Sequence, residues 1–572
     1  MNELQPVTLG DEPADLVIRN GRVLMPEPCE FQARDVVVKN NRVAALPEDG
    51  TEAIGDETKV INASDRVVTP GFIDAHTHID LHQTFENAYH YALEGGTTTV
   101  VTEVSGFGPS FGAEGVEQLL AATSYLPIRV FATVPPQPLI DTFEPARGDA
   151  ESLTNLLGDA RIIGVGETDW IHAVGRDLPA EELYERAHLE GKTVTGHGAG
   201  CSGEKLQAFA TIVDDDHESI TGEDIIERVE NGIHAIGRCG SIRDDMAAVG
   251  EAYEEIGAAE ISLSTDGMWP RELIGEGYMD VVVRRAIEEG VAPADAIRMA
   301  TLNPARHFGL PNLGSLAPGN VADILLIDDL ETVNVTTVIN GGEVVYNNHE
   351  TTVAPRSYEY PDHFYDSVNV STDPAEFRVP ADVANDGTVR AIEYREGLLS
   401  GETRVRPPVE DGELVAAPEE GLLKATLLDR HPDGDGTGFT GFVTGFGPME
   451  GAVATSLVWE TPGVLALGSG EDLREAVAHV NEMGGGWAVV RDGDVVAELP
   501  TRVAGVCSDL EVEETAKLYT AIESAFRSLG TDVERPMIGI QTLTFPGVPS
   551  LKMSFSGYAD IFSREIVGLT PQ

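Results

Sequence analysis

Lysine is scarce in this chain of 572 residues: Lys39, Lys59, Lys192, Lys205, Lys424, Lys517 and Lys552 are the whole complement. Lysine and arginine together number 38 against 96 acidic residues, a formal net charge of -58. Such a polyanion is repelled by phosphate backbones and anionic headgroups, so nucleic acid and membrane are excluded as partners. A small neutral substrate is not. The acid is spread along the whole chain rather than gathered in a tail, which speaks for a folded acidic surface over disorder. Concentrated salt screens the self-repulsion of such a surface, and a halophile's cytoplasmic protein is the expectation.

Cysteine is equally thin. Cys29, Cys201, Cys239 and Cys507 are scattered and form no C-x-x-C pair, so a disulfide framework is not expected and small buried residues are. Met1-Asn2-Glu3-Leu4-Gln5 lacks the basic and apolar regions of a signal peptide. No apolar run reaches the length of a membrane span. What is present is apolar material for several cores, 42% of the residues.

Residues 14 to 69 read as short strands with tight turns: Leu16–Arg19 and Arg22–Leu24 about Asn20-Gly21, then Asp35–Lys39 and Arg42–Ala45 about Asn40-Asn41. The same texture returns at 322–328, 333–339 and 343–346, and a composite β domain of residues 1–69 and 311–350 is expected. Residues 70–310 alternate strand-like and helix-like pieces. Strands are expected at Phe72–Ile79, Thr97–Val101, Arg129–Thr133, Ile162–Val165, Thr193–Thr195, Thr211–Val213, Ala235–Ile236 and Glu260–Ser264. Eight such strands in this length predict an α/β fold, a (β/α)8 TIM-like barrel with its site at the carboxyl ends of the strands. Prolines mark 351–385 as a connector, and 386–572 reads as a separate C-terminal α+β domain.

The chemistry is concentrated at the ends of those strands. In Pro70-Gly71-Phe72-Ile73-Asp74-Ala75-His76-Thr77-His78, side chains two apart share one side of a strand, so His76 and His78 project together. Paired imidazoles suit a divalent metal. Downstream, Glu167, His197, His217 and Asp266 each stand just past an apolar strand. One such residue alone is more often a solvated carboxylate or a hydrogen-bonded histidine; the ordered series is specific for a metal site.

With these residues in view, the chain resembles the amidohydrolase superfamily and, within it, the adenine deaminases. The resemblance runs nearly end to end, through Gly95-Gly96-Thr97-Thr98-Thr99, Gly164-Val165-Gly166-Glu167, Thr301-Leu302-Asn303-Pro304-Ala305, Gly445-Phe446-Gly447 and Met483-Gly484-Gly485-Gly486. It implies two divalent ions, Mn or Fe by family usage with Zn also admitted. His76 and His78 would hold the first and His197 and His217 the second. Glu167 would bridge them, and Asp266 would touch the first ion and the nucleophilic water. A metal lowers the pKa of its water from about 15.7 toward about 7. The implied reaction is attack of that hydroxide on the amidine carbon of adenine, giving hypoxanthine and ammonia, with Asp266 as base and then acid.

The chain also departs from its family. An Asp-Pro-His-Glu run is replaced by Glu103-Val104-Ser105-Gly106, and a His-Asp-Ser-His-Asn run by Trp459-Glu460-Thr461-Pro462-Gly463. A different cyclic amidine or amide as substrate is one alternative, and a non-catalytic metal-binding relative another. Trp170 could stack on a planar substrate and Arg238 could orient it, with packing as the rival role for Trp170. His82 and His172 are read as surface or packing residues as readily as substrate contacts. The Asp214-Asp215-Asp216 run is expected on the surface. The sequence leaves open whether the chain forms a homo-oligomer.

Overall fold

The computed structural model describes residues 3–140, 147–175, 180–384, 386–395, 399–434, 436–548 and 550–571. Its centre is a parallel sheet of eight strands in sequence order: β1 (Phe72–Thr77), β2 (Thr97–Thr102), β3 (Arg129–Val134), β4 (Ile162–Asp169), β5 (Thr193–His197), β6 (Asp215–Asp216), β7 (His234–Arg238) and β8 (Ile261–Ser264). Every strand except the two-residue β6 carries a run of buried apolar or small residues, as expected where helices cover a parallel sheet. The ends meet just beyond the strands. The Asp266 amide donates to the His76 carbonyl at 3.0 Å, and Asp74 accepts from the Thr265 amide at 3.0 Å and its hydroxyl at 2.6 Å. Buried polar clasps thus bring β8 against β1.

Both flanks contribute to one mixed nine-stranded sheet, in which Val67–Pro70 lies between Leu16–Leu24 and Ile324–Ile327. Asn20-Gly21 is no hairpin turn. Leu16–Leu24 runs through it as one strand with a shifted register, because Asn20 adopts φ +64° and takes up the extra residue as a bulge. Asn40-Asn41 does turn the chain between Phe31–Lys39 and Arg42–Ala45.

The C-terminal region builds an eight-stranded sheet from residues 389–500, packed by helices Asp472–Met483 and Val512–Ser528, and a three-stranded sheet from Leu551–Val567. It is joined to the barrel by more than side chains. Cys507–Ser508 pairs in parallel with His82–Gln83, a segment that begins five residues past the end of β1. Residues 351–384 fill the seam, where the buried Phe364 ring stacks on Phe111 at 4.0 Å between centroids. Cys29, Cys201, Cys239 and Cys507 are all free thiols. Among the described residues no helix is long and apolar enough to cross a membrane.

One barrel strand is displaced from its expected place. Thr211–Val213 is the turn after helix Glu204–Phe209, and the sheet is instead continued by Asp215–Asp216. Of the acidic run expected on the surface only Asp214 meets solvent, 41% exposed at its side chain, while Asp215 and Asp216 are both 0% exposed. Hydropathy misleads here because each aspartate has a buried partner, His307 Nε2 at 2.7 Å for Asp215 and Arg228 Nε at 2.7 Å for Asp216.

Candidate metal centre

Glu167 organises the barrel mouth. Its Oε1 lies 3.1 Å from His217 Nε2, 3.4 Å from His197 Nδ1, 3.6 Å from His76 Nε2 and 3.9 Å from His78 Nε2. Asp266 Oδ1 stands 3.2 Å from His78 Nε2 and 3.5 Å from His76 Nε2. Ligand-competent atoms form three overlapping groups, each within 4.8 Å: His76, His78 and Glu167; Glu167, His197 and His217; and His76, His217 and Asp266. The six residues expected from sequence therefore converge, from β1, β4 and β5 and from the turns after β1, β6 and β8.

The donor set fits a divalent cation. His76 Nε2, both ring nitrogens of His197 and Nδ1 of His217 are buried without a hydrogen-bond partner among the described residues. Buried polar atoms are normally paired, so the orphaned His76 Nε2 and His197 Nδ1, 3.6 Å and 3.4 Å from Glu167 Oε1, mark a place for an electrophile. Imidazole with carboxylate is the ligand chemistry of Zn, Mn and Fe.

A surrounding layer fixes the ligands. Glu103 Oε2 accepts from the Thr133 hydroxyl at 2.6 Å and the Glu167 amide at 3.0 Å, and its Oε1 stands 3.6 Å from His76 Nδ1. Ser105 Oγ pairs with His78 Nδ1 at 2.6 Å. Asp216 Oδ1 accepts from the amides of Gly198 and Glu218, which directly follow His197 and His217. Such partners set the tautomer and direction of a ligating ring. Gly106 shows why the replaced run ends as it does: an added Cβ would overlap the Asp80 carbonyl, and its amide donates to Asp80 Oδ2 at 2.9 Å.

Charge is balanced tightly. Burial would raise the Asp266 carboxyl, yet His76, His78 and Arg238 hold it well below the usual range. Arg238 stands among three carboxylates, paired with Glu218, with Asp245 at 3.0 Å and with Asp266 at 3.2 Å. It lines the cavity as a clamp on carboxylates. Burial, reinforced by nearby Glu167 and Glu218 against the pull of His197, pushes Asp169 up to about 7.

The centre opens into a cavity of about 470 Å³. Its opposite wall comes from the C-terminal domain, through Leu399, Trp459, Glu460, Phe545 and Val548. Phe545 meets His197 edge-on at 5.3 Å and Trp459 edge-on at 5.6 Å. Gly547 is required by close approach, since a Cβ there would lie 2.7 Å from Asp169 Oδ1 and 2.9 Å from His197 Nε2. Trp170, expected to stack on substrate, does not line this cavity. Its indole N–H donates to the Ala199 carbonyl at 2.9 Å and Lys205 lies over its ring, so packing claims it. His82 is likewise taken up by the domain seam, bonded to the Tyr519 hydroxyl and tilted against Trp269. Sequence reasoning named Trp459-Glu460 only as a departure and missed Phe545 and Glu218. No spacing signal connects residues near 460 and 545 to a barrel that ends near 265.

Fold and site together define a metal-dependent hydrolase barrel of the amidohydrolase type, and residues 67–345 match the Amidohydrolase family. Residues 398–565 match the adenine deaminase C-terminal domain. The match to whole proteins is end to end. An adenine deaminase of Moorella thermoacetica is 34% identical over 99% of this chain and 97% of its own length. One of Methanothrix thermoacetophila is 31% identical over 98% of each, and one of Halalkalibacterium halodurans 30% identical over 98% and 97%. The chain belongs to the adenine deaminase family.

Proposed function

We propose that this protein hydrolyses adenine to hypoxanthine and ammonia. The observation that carries the reading is the convergence of four imidazoles on Glu167 Oε1, with Asp266 beside them, in a chain that matches adenine deaminases over its whole length. His76, His78 and Asp266 would hold one ion and His197 and His217 a second, with Glu167 between; Mn or Fe is our assignment. A divalent cation there supplies Lewis acidity and acidifies water to a pKa of about 7. The chain's own groups do the rest. Asp266 stands within 3.5 Å of two ligand imidazoles, placed to take the proton of the attacking water and return it to the departing amine. Oxygen bonds to the ring carbon, the carbon–nitrogen bond breaks, and nitrogen leaves as ammonia. Arg238 keeps Asp266 ionised and aimed through its 3.2 Å bond to Oδ2. Trp459 and Phe545 supply apolar wall to the cavity that a planar ring would enter.

Ammonia release by purified protein loaded with Mn is the direct test, run on adenine beside other amino-purines and pterins. Turnover of adenine above the others is expected. No adenine turnover at any metal loading would refute the reading. We further assign the protein to a salt-rich cytoplasm on its net charge of -58. Its melting temperature should then rise with KCl, and a melting temperature independent of salt would count against that setting.

A further inference from the structure

The C-terminal domain contributes more than a wall. Glu460 sits in the loop between strands Ala452–Thr455 and Gly463–Gly468 and lines the cavity that holds the metal cluster. Its backbone is left-handed, φ +56°, a conformation non-glycine residues adopt rarely and retain mainly where a site demands it. Its two carboxyl oxygens are treated differently. Oε1 accepts from Gln137 Nε2 at 2.6 Å, while Oε2 is buried and has no hydrogen-bond partner among the described residues. Gln137 cannot turn its amide around, because the same Nε2 donates to the Glu167 carbonyl at 3.1 Å. Gln137 thus ties Glu460 to the strand end that carries the central ligand, and leaves Oε2 as the polar atom still to be satisfied. Burial, reinforced by Asp169 and Glu167 against the pull of His197, raises this carboxyl well above its ordinary value, the direction of the protonated, donating form.

We propose that Glu460 is a specificity-determining residue of the deamination, hydrogen-bonding a ring nitrogen of the bound purine through Oε2. The inference rests on the function proposed above and adds the group that reads the ring. A purine carries ring-nitrogen lone pairs that a benzenoid isostere lacks. A buried polar group left unpaired by such an isostere rejects it by a large factor. Trp459, the preceding residue, and Phe545 stand edge-on to each other in the cavity wall and supply its apolar contacts, while a directed hydrogen bond from Oε2 would fix how the ring is turned.

The test pairs variants with ring analogues. Wild type, Glu460→Leu and Glu460→Gln are each loaded with Mn and assayed for kcat/KM on adenine, 3-deazaadenine and 7-deazaadenine. Circular dichroism and metal content establish that each variant is folded and loaded. In Glu460→Gln the side-chain carbonyl faces Gln137 and the amide N–H takes the place of Oε2. Wild type is expected to penalise one deaza analogue at least about tenfold, or about 1.4 kcal/mol. Glu460→Leu should lower adenine turnover and bring that penalty close to one, and Glu460→Gln should keep most of it. A purely structural Glu460 would lower all three substrates together and leave the ratios intact, which would overturn the proposal. So would a Gln variant as indiscriminate as Leu. Failure of wild type to release ammonia from adenine refutes the function itself and is read separately from these ratios.

Discussion

Replacing Arg228 by Met probes the layer behind the metal ligands without touching a ligand. Arg228 and Asp216 are 1% and 0% exposed at their side chains, and Nε to Oδ2 measures 2.7 Å. The guanidinium also donates to the Gly198 carbonyl at 2.9 Å. In the variant Asp216 keeps its two amide donors but loses its buried ion-pair partner. Breaking a buried pair from one side costs about 3–5 kcal/mol. If the barrel melts as a unit of roughly 250 residues, that is a fall of about 6–20 °C in melting temperature. Burial acts to raise the Asp216 carboxyl, and Arg228 and His217 bring it net below its ordinary value. A carboxyl with a lowered native pKa contributes stability above its unfolded pKa of about 3.9, and that stability is lost as pH falls through the native value. The acid limb of stability should therefore flatten in the variant. Because Asp216 orients the amides after His197 and His217, bound metal should fall with stability. Calorimetry against pH and metal analysis are the assays, with Arg228→Met/Asp216→Asn as the comparison. Removing both charges should cost less than removing the arginine alone. A single-variant shift under about 2 °C, or a double variant as damaging as the sum, would refute the reasoning.

Four further outcomes are expected. Asp266→Asn should lower kcat for ammonia release by about 10²–10⁴-fold, the usual worth of a proton-transfer group; a loss smaller than this range would remove Asp266 from that role. Chelation should lower the melting temperature, and added Mn should restore it by mass action, about 2.7 kcal/mol at a hundredfold excess over Kd; an unchanged melt would speak against bound metal. Lys552, buried with one bond to the Thr542 carbonyl at 3.0 Å, has its ammonium pushed down to about 7 by burial. The unfolded chain binds the extra proton between about 7 and about 10.4, so this group's contribution rises with pH across that window. Lys552→Met should thus stabilise more near pH 6 than near pH 9 (about one unit either side of neutral or beyond); equal melting curves for the two proteins at both would contradict it. Gly106→Ala should displace the Asp80 carbonyl and with it the Ser105–His78 contact, read as lost metal affinity at little cost in secondary structure.

Local rules decided much of this molecule. An alternation of apolar strands and amphipathic helices is a local property, so the barrel and most of its strand positions follow from periodicity alone. The ligand residues are legible for a related reason. A parallel barrel presents every strand's carboxyl end on one face, so a ligand type placed just past an apolar run is a topological statement as much as a chemical one. His76, His78, Glu167, His197 and Asp266 follow their strands in this way, and His217 follows Asp216 even though its strand was expected three residues too early.

What stayed hidden depends on long-range pairing. Whether an aspartate is a solvated surface group or a buried strut turns on a partner elsewhere in the chain, as Arg228 and His307 show for Asp216 and Asp215. Asn20 could have turned a hairpin; strands on both sides, Phe31–Lys39 and Val67–Pro70, kept the chain extended and made it a bulge. Trp170 had the right type and neighbourhood for substrate, yet the Ala199 carbonyl claimed its indole. The far wall of the cavity was the largest surprise. Trp459, Glu460 and Phe545 lie about two hundred residues or more beyond the last barrel strand, and reach the metal cluster because the C-terminal domain is bound to the barrel through Cys507–Ser508 and His82–Gln83. Strand periodicity and residue type determined the kind of chemistry. Docking of two domains decided what that chemistry is offered, because hydrogen bonds and burial between distant segments have no signature in local order.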